Sequence, residues 1–136
     1  MTRPLAIFAG IRTPFGKAQG AMADLFAEDL GALAAREILL RTGVDRRAID
    51  GVIAGNVGQN ARAANIARVI ALRAGLPDSV PAWTVHRNCA SGFEAITEAA
   101  DQVALDHGRL YLALGVESMS NYPLEFNSRG RAWFTR

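Results

Sequence analysis

Cysteine and histidine are nearly absent from this 136-residue chain, which holds one cysteine, Cys89, and two histidines, His86 and His107. A single thiol cannot close an internal disulfide or build a thiolate cluster. Two histidines this far apart in sequence do not complete a zinc site, so no metal is expected and a reducing, intracellular setting is the default. A charge excess is also lacking: 15 basic against 13 acidic residues leave +2, scattered along the chain with no polybasic block, and no nucleic-acid partner is expected. Arg129, Arg131 and Arg136, interleaved with Trp133 and Phe134, could meet an anionic ligand, but a solvated chain end is the simpler account. No apolar run approaches the ~18 residues that span a bilayer. Met1-Thr2-Arg3-Pro4 leads straight into a strand-like run without a signal-peptide core, so the expected location is cytoplasmic, with no membrane partner.

What is present suits a globular domain. Apolar residues make up 50% and charged residues 21%, and the length allows one domain with a buried core. Leu5-Ala6-Ile7-Phe8-Ala9 is an almost continuous apolar run ended by Gly10, which predicts a first strand buried on both faces. Pro14 and Gly16 break regular structure, placing a loop over roughly 11–23. From Asp24, the spacing of Phe26, Leu30, Leu33 and Ile38 predicts a helix with Gly43 at its C-terminal cap. Residues 51–55 read as a second buried strand and 55–60 as a loop. Asn65 then N-caps a helix carrying Ile66, Val69 and Ile70, stopped by Gly75 and Pro77. Residues 82–85 form a third strand. Phe93, Ile96, Ala100 and Val103 mark an amphipathic helix ending near Gly108, residues 110–116 a fourth strand, and 117–136 the start of a loop region.

Four apolar strands separated by three helical segments predict an α/β layered fold with a mostly parallel or mixed sheet. In such folds active groups lie at the carboxyl ends of strands. Cys89 falls there, just past the third strand and at the predicted opening of a helix. Unpaired N–H groups and the helix dipole at that position favour thiolate over thiol, which points to a nucleophile. The competing reading is a small buried hydrophobe, the usual role of a lone cysteine.

Arg12-Thr13-Pro14-Phe15-Gly16, Asn65-Ile66-Ala67-Arg68, Cys89-Ala90-Ser91-Gly92 and Gly115-Val116-Glu117-Ser118-Met119-Ser120, taken in order and separation, make the chain resemble the amino-terminal portion of a thiolase. The families in view are acetyl-CoA acetyltransferase and 3-ketoacyl-CoA thiolase, which commonly carry Asn-Pro-Ala-Arg where Ile66 stands here. The resemblance implies an incomplete thiolase-like N-terminal α/β domain over 1–116. It also implies that Cys89 is the acyl-accepting catalytic cysteine, acting on coenzyme A thioesters as substrates with no separate cofactor. The Cys89 N–H would then serve the developing oxyanion. Small residues at Ala90 and Gly92 admit close backbone approach or simply helix packing. Cofactor-binding positions are not assigned.

Other residues carry smaller expectations. Arg12 and Glu117 read as members of buried or half-buried ion pairs that hold loops together. His86, three residues from Cys89 in an extended segment, points to the opposite face and is a poor candidate for its general base. Met119 and Phe126 read as core or pocket wall. The family's Gly-His-Pro histidine, asparagine-containing motif and second cysteine in Cys-x-Gly do not occur in this sequence. The expected whole is therefore a thiolase-type acyltransferase, by cleavage or Claisen condensation of 3-ketoacyl-CoA, inactive as this chain alone. Its partners would be acyl-CoA and either a second copy in a homo-oligomer or a complementary C-terminal thiolase chain. Two alternatives are a non-catalytic interaction module, since a sheet lacking strands exposes an edge, and a ketoacyl-synthase-like condensing enzyme.

Overall fold

Alternation along Gly51–Gly55 (β1) decides which layer each helix joins. Val52 and Ala54 enter one hydrophobic cluster and Ile53 the other, as the two-residue period of a strand requires. All five residues are buried, the pattern of a strand covered on both faces of a parallel sheet. Ala82–Val85 (β2) and Tyr111–Gly115 (β3) flank it in the order β2-β1-β3, both parallel to β1. The computed structural model describes residues 5–135. It surrounds this sheet with four α-helices, Ala27–Thr42 (α1), Ile66–Arg73 (α2), Ser91–Ala104 (α3) and Ser128–Phe134 (α4).

Helices α1 and α2 cover one face of the sheet. Ala35 and Leu39 of α1 and Ile66, Ala67, Ile70 and Ala71 of α2 pack with Val52 and Ala54. Helix α3 covers the other face, where Ala95 and Ala99 meet Ile53, flanked by Trp83, Val85, Tyr111 and Ala113. The result is the expected α/β layered fold with a parallel sheet.

Local chemistry sets the helix ends. The Asp29 carboxylate accepts the Phe26 N–H at 3.2 Å, so α1 starts at Ala27, slightly later than the apolar spacing predicts. Gly43, in the left-handed region at φ 64°, ends it. The Asn65 side chain accepts the Arg68 N–H at 3.3 Å and opens α2 as expected. Helix α3 stops at Ala104, ahead of Gly108. No helix among the described residues is long and apolar enough to cross a membrane.

The first predicted strand is not formed. Among the described residues, 5–9 belong to no ladder and the sheet has three strands, not four. A strand needs an edge to pair with, and residues 5–9 form no ladder with the free edge of β3. An apolar cavity of about 300 Å3 lies between residues 5–10 and 110–113, walled by α1 through Ile38 and Leu39 and by α3 through Ile96 and Ala99. Ile7 and Phe8 are exposed instead of buried. The region after residue 116 is not all loop, because α4 and a 3₁₀ turn, Met119–Asn121, lie within it.

Candidate active site

Strand β2 ends at Val85 and α3 begins at Ser91, so five residues make the connection, with Cys89 fourth among them. The chain turns sharply. Asn88 takes φ 48°, in the left-handed region, where asparagine is tolerated better than most residues. Two backbone bonds, Ala90 N–H to the Arg87 carbonyl and Ser91 N–H to the Asn88 carbonyl, each 3.0 Å, fold the turn. The Ser91 hydroxyl closes it by accepting the Arg87 N–H at 2.8 Å and donating to the Asn88 carbonyl at 2.6 Å. Cys89 is left exposed, which removes the reading of a buried hydrophobe. It precedes the N-cap residue Ala90, so the thiol stands just ahead of the first helical turn rather than in it. Ala90 offers no side-chain cap, since alanine has no acceptor to give.

Three glycines set this turn directly on the sheet. A Cβ at Gly55, the last residue of β1, would collide with the carbonyl of Ser91. One at Gly115, the last residue of β3, would lie 2.8 Å from the Gly92 Cα, and one at Gly92 would lie 3.3 Å from the Gly115 Cα. Helix α3 therefore starts in backbone contact with the carboxyl ends of two strands. Here close approach explains Gly92.

The loops beyond those strand ends are tied by Glu117. Its carboxylate accepts from the Asn56 side chain at 3.1 Å and from the N–H groups of Val57 and Gly58 at 2.9 and 3.2 Å. Asn56, itself buried, also donates to the Val116 carbonyl at 2.9 Å. Glu117 thus holds loops together, as expected, but through amide donors and not an ion pair. Arg12 is not in an ion pair among the described residues either. It is exposed, donates to the Thr13 carbonyl at 3.2 Å and lies over the Phe15 ring at 5.8 Å. A residue solvated this well gains little from a carboxylate partner.

Arg87 reaches forward from the turn to Glu94 at 2.6 Å. That hydrogen bond holds the Glu94 carboxyl below its ordinary value of 4.5 and raises the Arg87 guanidinium. His86 is exposed and His107 pairs with the Gln102 side chain at 3.0 Å beyond the far end of α3. Met119 and Phe126 are exposed and wall no core, because no packed layer covers the segment after β3. Phe126 instead stacks edge-on against Phe134 of α4, ring centroids 4.9 Å apart. Of the arginine cluster, Arg129 and Arg131 lie on α4 and Arg136 is outside the described residues.

Sequence reasoning missed Ser91, Asn88 and Asn56. Their hydrogen bonds cross loops and a short turn, which leave no period in the sequence. Glu28 was also missed. It is 1% exposed and faces Arg62 at 3.9 Å, and Arg62 lies over the Phe26 ring at 3.8 Å.

Comparison with known proteins bears on this site. Residues 5–135 match the family described as thiolase, N-terminal domain. A Staphylococcus aureus protein (strain NCTC 8325 / PS 47) named "Probable acetyl-CoA acyltransferase" is 41% identical over 128 residues, 94% of this chain and 32% of that protein. The crystal structure of the Bacillus anthracis acetyl-CoA acetyltransferase superposes with a TM-score of 0.83 at 37% identity, over 88% of this chain and 30% of the other. The Acat5 thiolase from Ascaris suum, solved in complex with coenzyme A, gives 0.82 at 33% identity, over 87% and 31%. The chain spans about a third of the length of the curated relatives it matches.

Proposed function

Because this chain belongs to the thiolase N-terminal domain family, we propose that it is the nucleophile-bearing part of a thiolase-type acyl-CoA acyltransferase, with Cys89 as the acyl acceptor. One observation carries the reading. Cys89 stands exposed at the carboxyl end of a parallel strand, in a tight turn that rests on two further strand ends.

The Cys89 thiolate attacks the carbonyl carbon of a coenzyme A thioester or of a 3-ketoacyl-CoA. The new carbon–sulfur bond forms as the carbonyl π pair moves onto oxygen, and collapse expels the coenzyme A thiolate or the acetyl-CoA carbanion, each of which then takes a proton. The Cys89 N–H, ahead of the uncapped end of α3, donates to that oxyanion. A second thiol then receives the acyl group. Coenzyme A enters as substrate, and no further cofactor is required.

Proton transfer needs groups this sequence does not supply. It contains no second cysteine, and His107 pairs with Gln102 at 3.0 Å, past the C-terminal end of α3. A complementary segment or subunit bearing the base and second thiol completes the cycle, while this chain alone supports one acylation without turnover. On mixing with a short acyl-CoA, the protein should release a single equivalent of coenzyme A thiol, and Cys89→Ser should release none. Steady turnover by the pure chain, or no release from folded protein, would refute this.

The free edge of β3 and the exposed Ile7 and Phe8 favour a second reading, a non-catalytic module that self-associates or joins a related subunit through that edge. Size that rises with concentration, without any acylation of Cys89, would single it out.

A further inference from the structure

Resting on the reading of Cys89 as acyl acceptor, we propose that Ser91 is a positioning residue that aims the Cys89 N–H at the oxyanion. The Asn88 carbonyl and the Cys89 N–H belong to one peptide group. That group is trans, as are all peptide bonds among the described residues, so the two bond vectors point in opposite directions. Whatever holds the carbonyl inward turns the N–H outward.

Ser91 holds that carbonyl twice, through its hydroxyl at 2.6 Å and through its own N–H at 3.0 Å. The same hydroxyl accepts the Arg87 N–H at 2.8 Å, fixing the near side of the turn. Ser91 cannot easily shift to follow a moving loop. It is 3% exposed and its carbonyl rests against Gly55, where a Cβ would collide with it. Asn88, at φ 48°, occupies a conformation that persists when its surroundings over-determine it, and these three bonds supply the determination. The hydroxyl is thus a buried brace between the sheet and the peptide plane preceding the nucleophile.

A brace of this kind affects two reactions of the same thiol unequally. Acyl transfer builds negative charge on an oxygen that the Cys89 N–H must meet. Alkylation by iodoacetamide, in which the thiolate displaces iodide at a saturated carbon, builds none there. Ser91→Ala should lower the ratio of Cys89 acylation to alkylation rates by at least about tenfold, since losing one oxyanion donor costs that much or more. Ile70→Val, a buried change on the opposite face of the sheet, should leave the ratio unchanged. An unchanged ratio in Ser91→Ala beside normal wild-type acylation overturns the role of Ser91 alone. Absence of acylation in the wild type overturns the acyl-acceptor reading and this role together. If Ser91→Ala does not fold, amide hydrogen exchange in the wild type decides: slow exchange at Arg87 supports the brace and rapid exchange overturns it.

Discussion

At the carboxyl ends of the strands, the chain closes its own contacts. At the outer edge of β3 it leaves them open. The first region is built from backbone against backbone: Gly55 against the Ser91 carbonyl, Gly92 against Gly115, and the Glu117 carboxylate on three donors from the loop after β1. Every partner lies within residues 55–117. The second region has the composition of a core without its packing. Residues 5–10 and 110–113 face a cavity of about 300 Å3, and Phe8 is 67% exposed. The contrast teaches that the site's local geometry is specified by residues near it, while completing the sheet is a separate matter. The turn that carries Cys89 is therefore shaped without any strand paired to the outer edge of β3 among the described residues.

Substitutions at the closed end should cost most. Gly55→Val forces side-chain atoms into the Ser91 carbonyl and should destabilise by about 3 kcal/mol, read by urea denaturation, with loss of Cys89 labelling. If Gly55→Val is silent, the close approach is not holding the turn. Glu117→Ala removes one of the two acceptors of the buried Asn56 amide and the acceptor of two N–H groups, an expected loss of about 2 kcal/mol, and Glu117→Gln should recover part of it. At the open edge the same measurement should barely move. Ile7→Ser changes an exposed side chain and should stay within about 0.5 kcal/mol, while reducing any concentration-dependent association seen by sedimentation.

The smallest effect concerns pH. The Arg87 hydrogen bond holds the Glu94 carboxyl below its usual 4.5. A folded value below the unfolded one contributes stability above the unfolded value and loses it as pH falls through the folded value. The difference in unfolding midpoint between wild type and Glu94→Gln should therefore shrink in acid and be constant near neutrality. A difference that grows in acid would reverse the assigned sign.

The same contrast explains how much was legible in the sequence. Strands 51–55 and 82–85, the Asn65 cap and the Gly43 stop depend on near neighbours and periodicity, and the structure places them as read. The strand predicted at residues 5–9 depends on a partner that no local pattern reveals, so its apolar run gives composition without pairing. Met119 and Phe126 fail for the same reason, since burial requires a covering layer. At the site, the address of Cys89 follows from β2 ending and α3 beginning, which the pattern showed to within two residues. The brace by Ser91 and the left-handed turn at Asn88 were not visible, because hydrogen bonds that cross a five-residue turn leave no period. Glu117 was recognised as a tie, yet two of its three donors are the backbone N–H groups of Val57 and Gly58, which carry no sequence signal.

The most direct test of Cys89 as acyl acceptor is intact-mass analysis with peptide mapping after brief exposure to a short-chain acyl-CoA. The expected result is one acyl group per chain, mapped to Cys89 and absent from Cys89→Ser. Equal acylation of both proteins, or none in a wild-type sample shown to be folded, would contradict it.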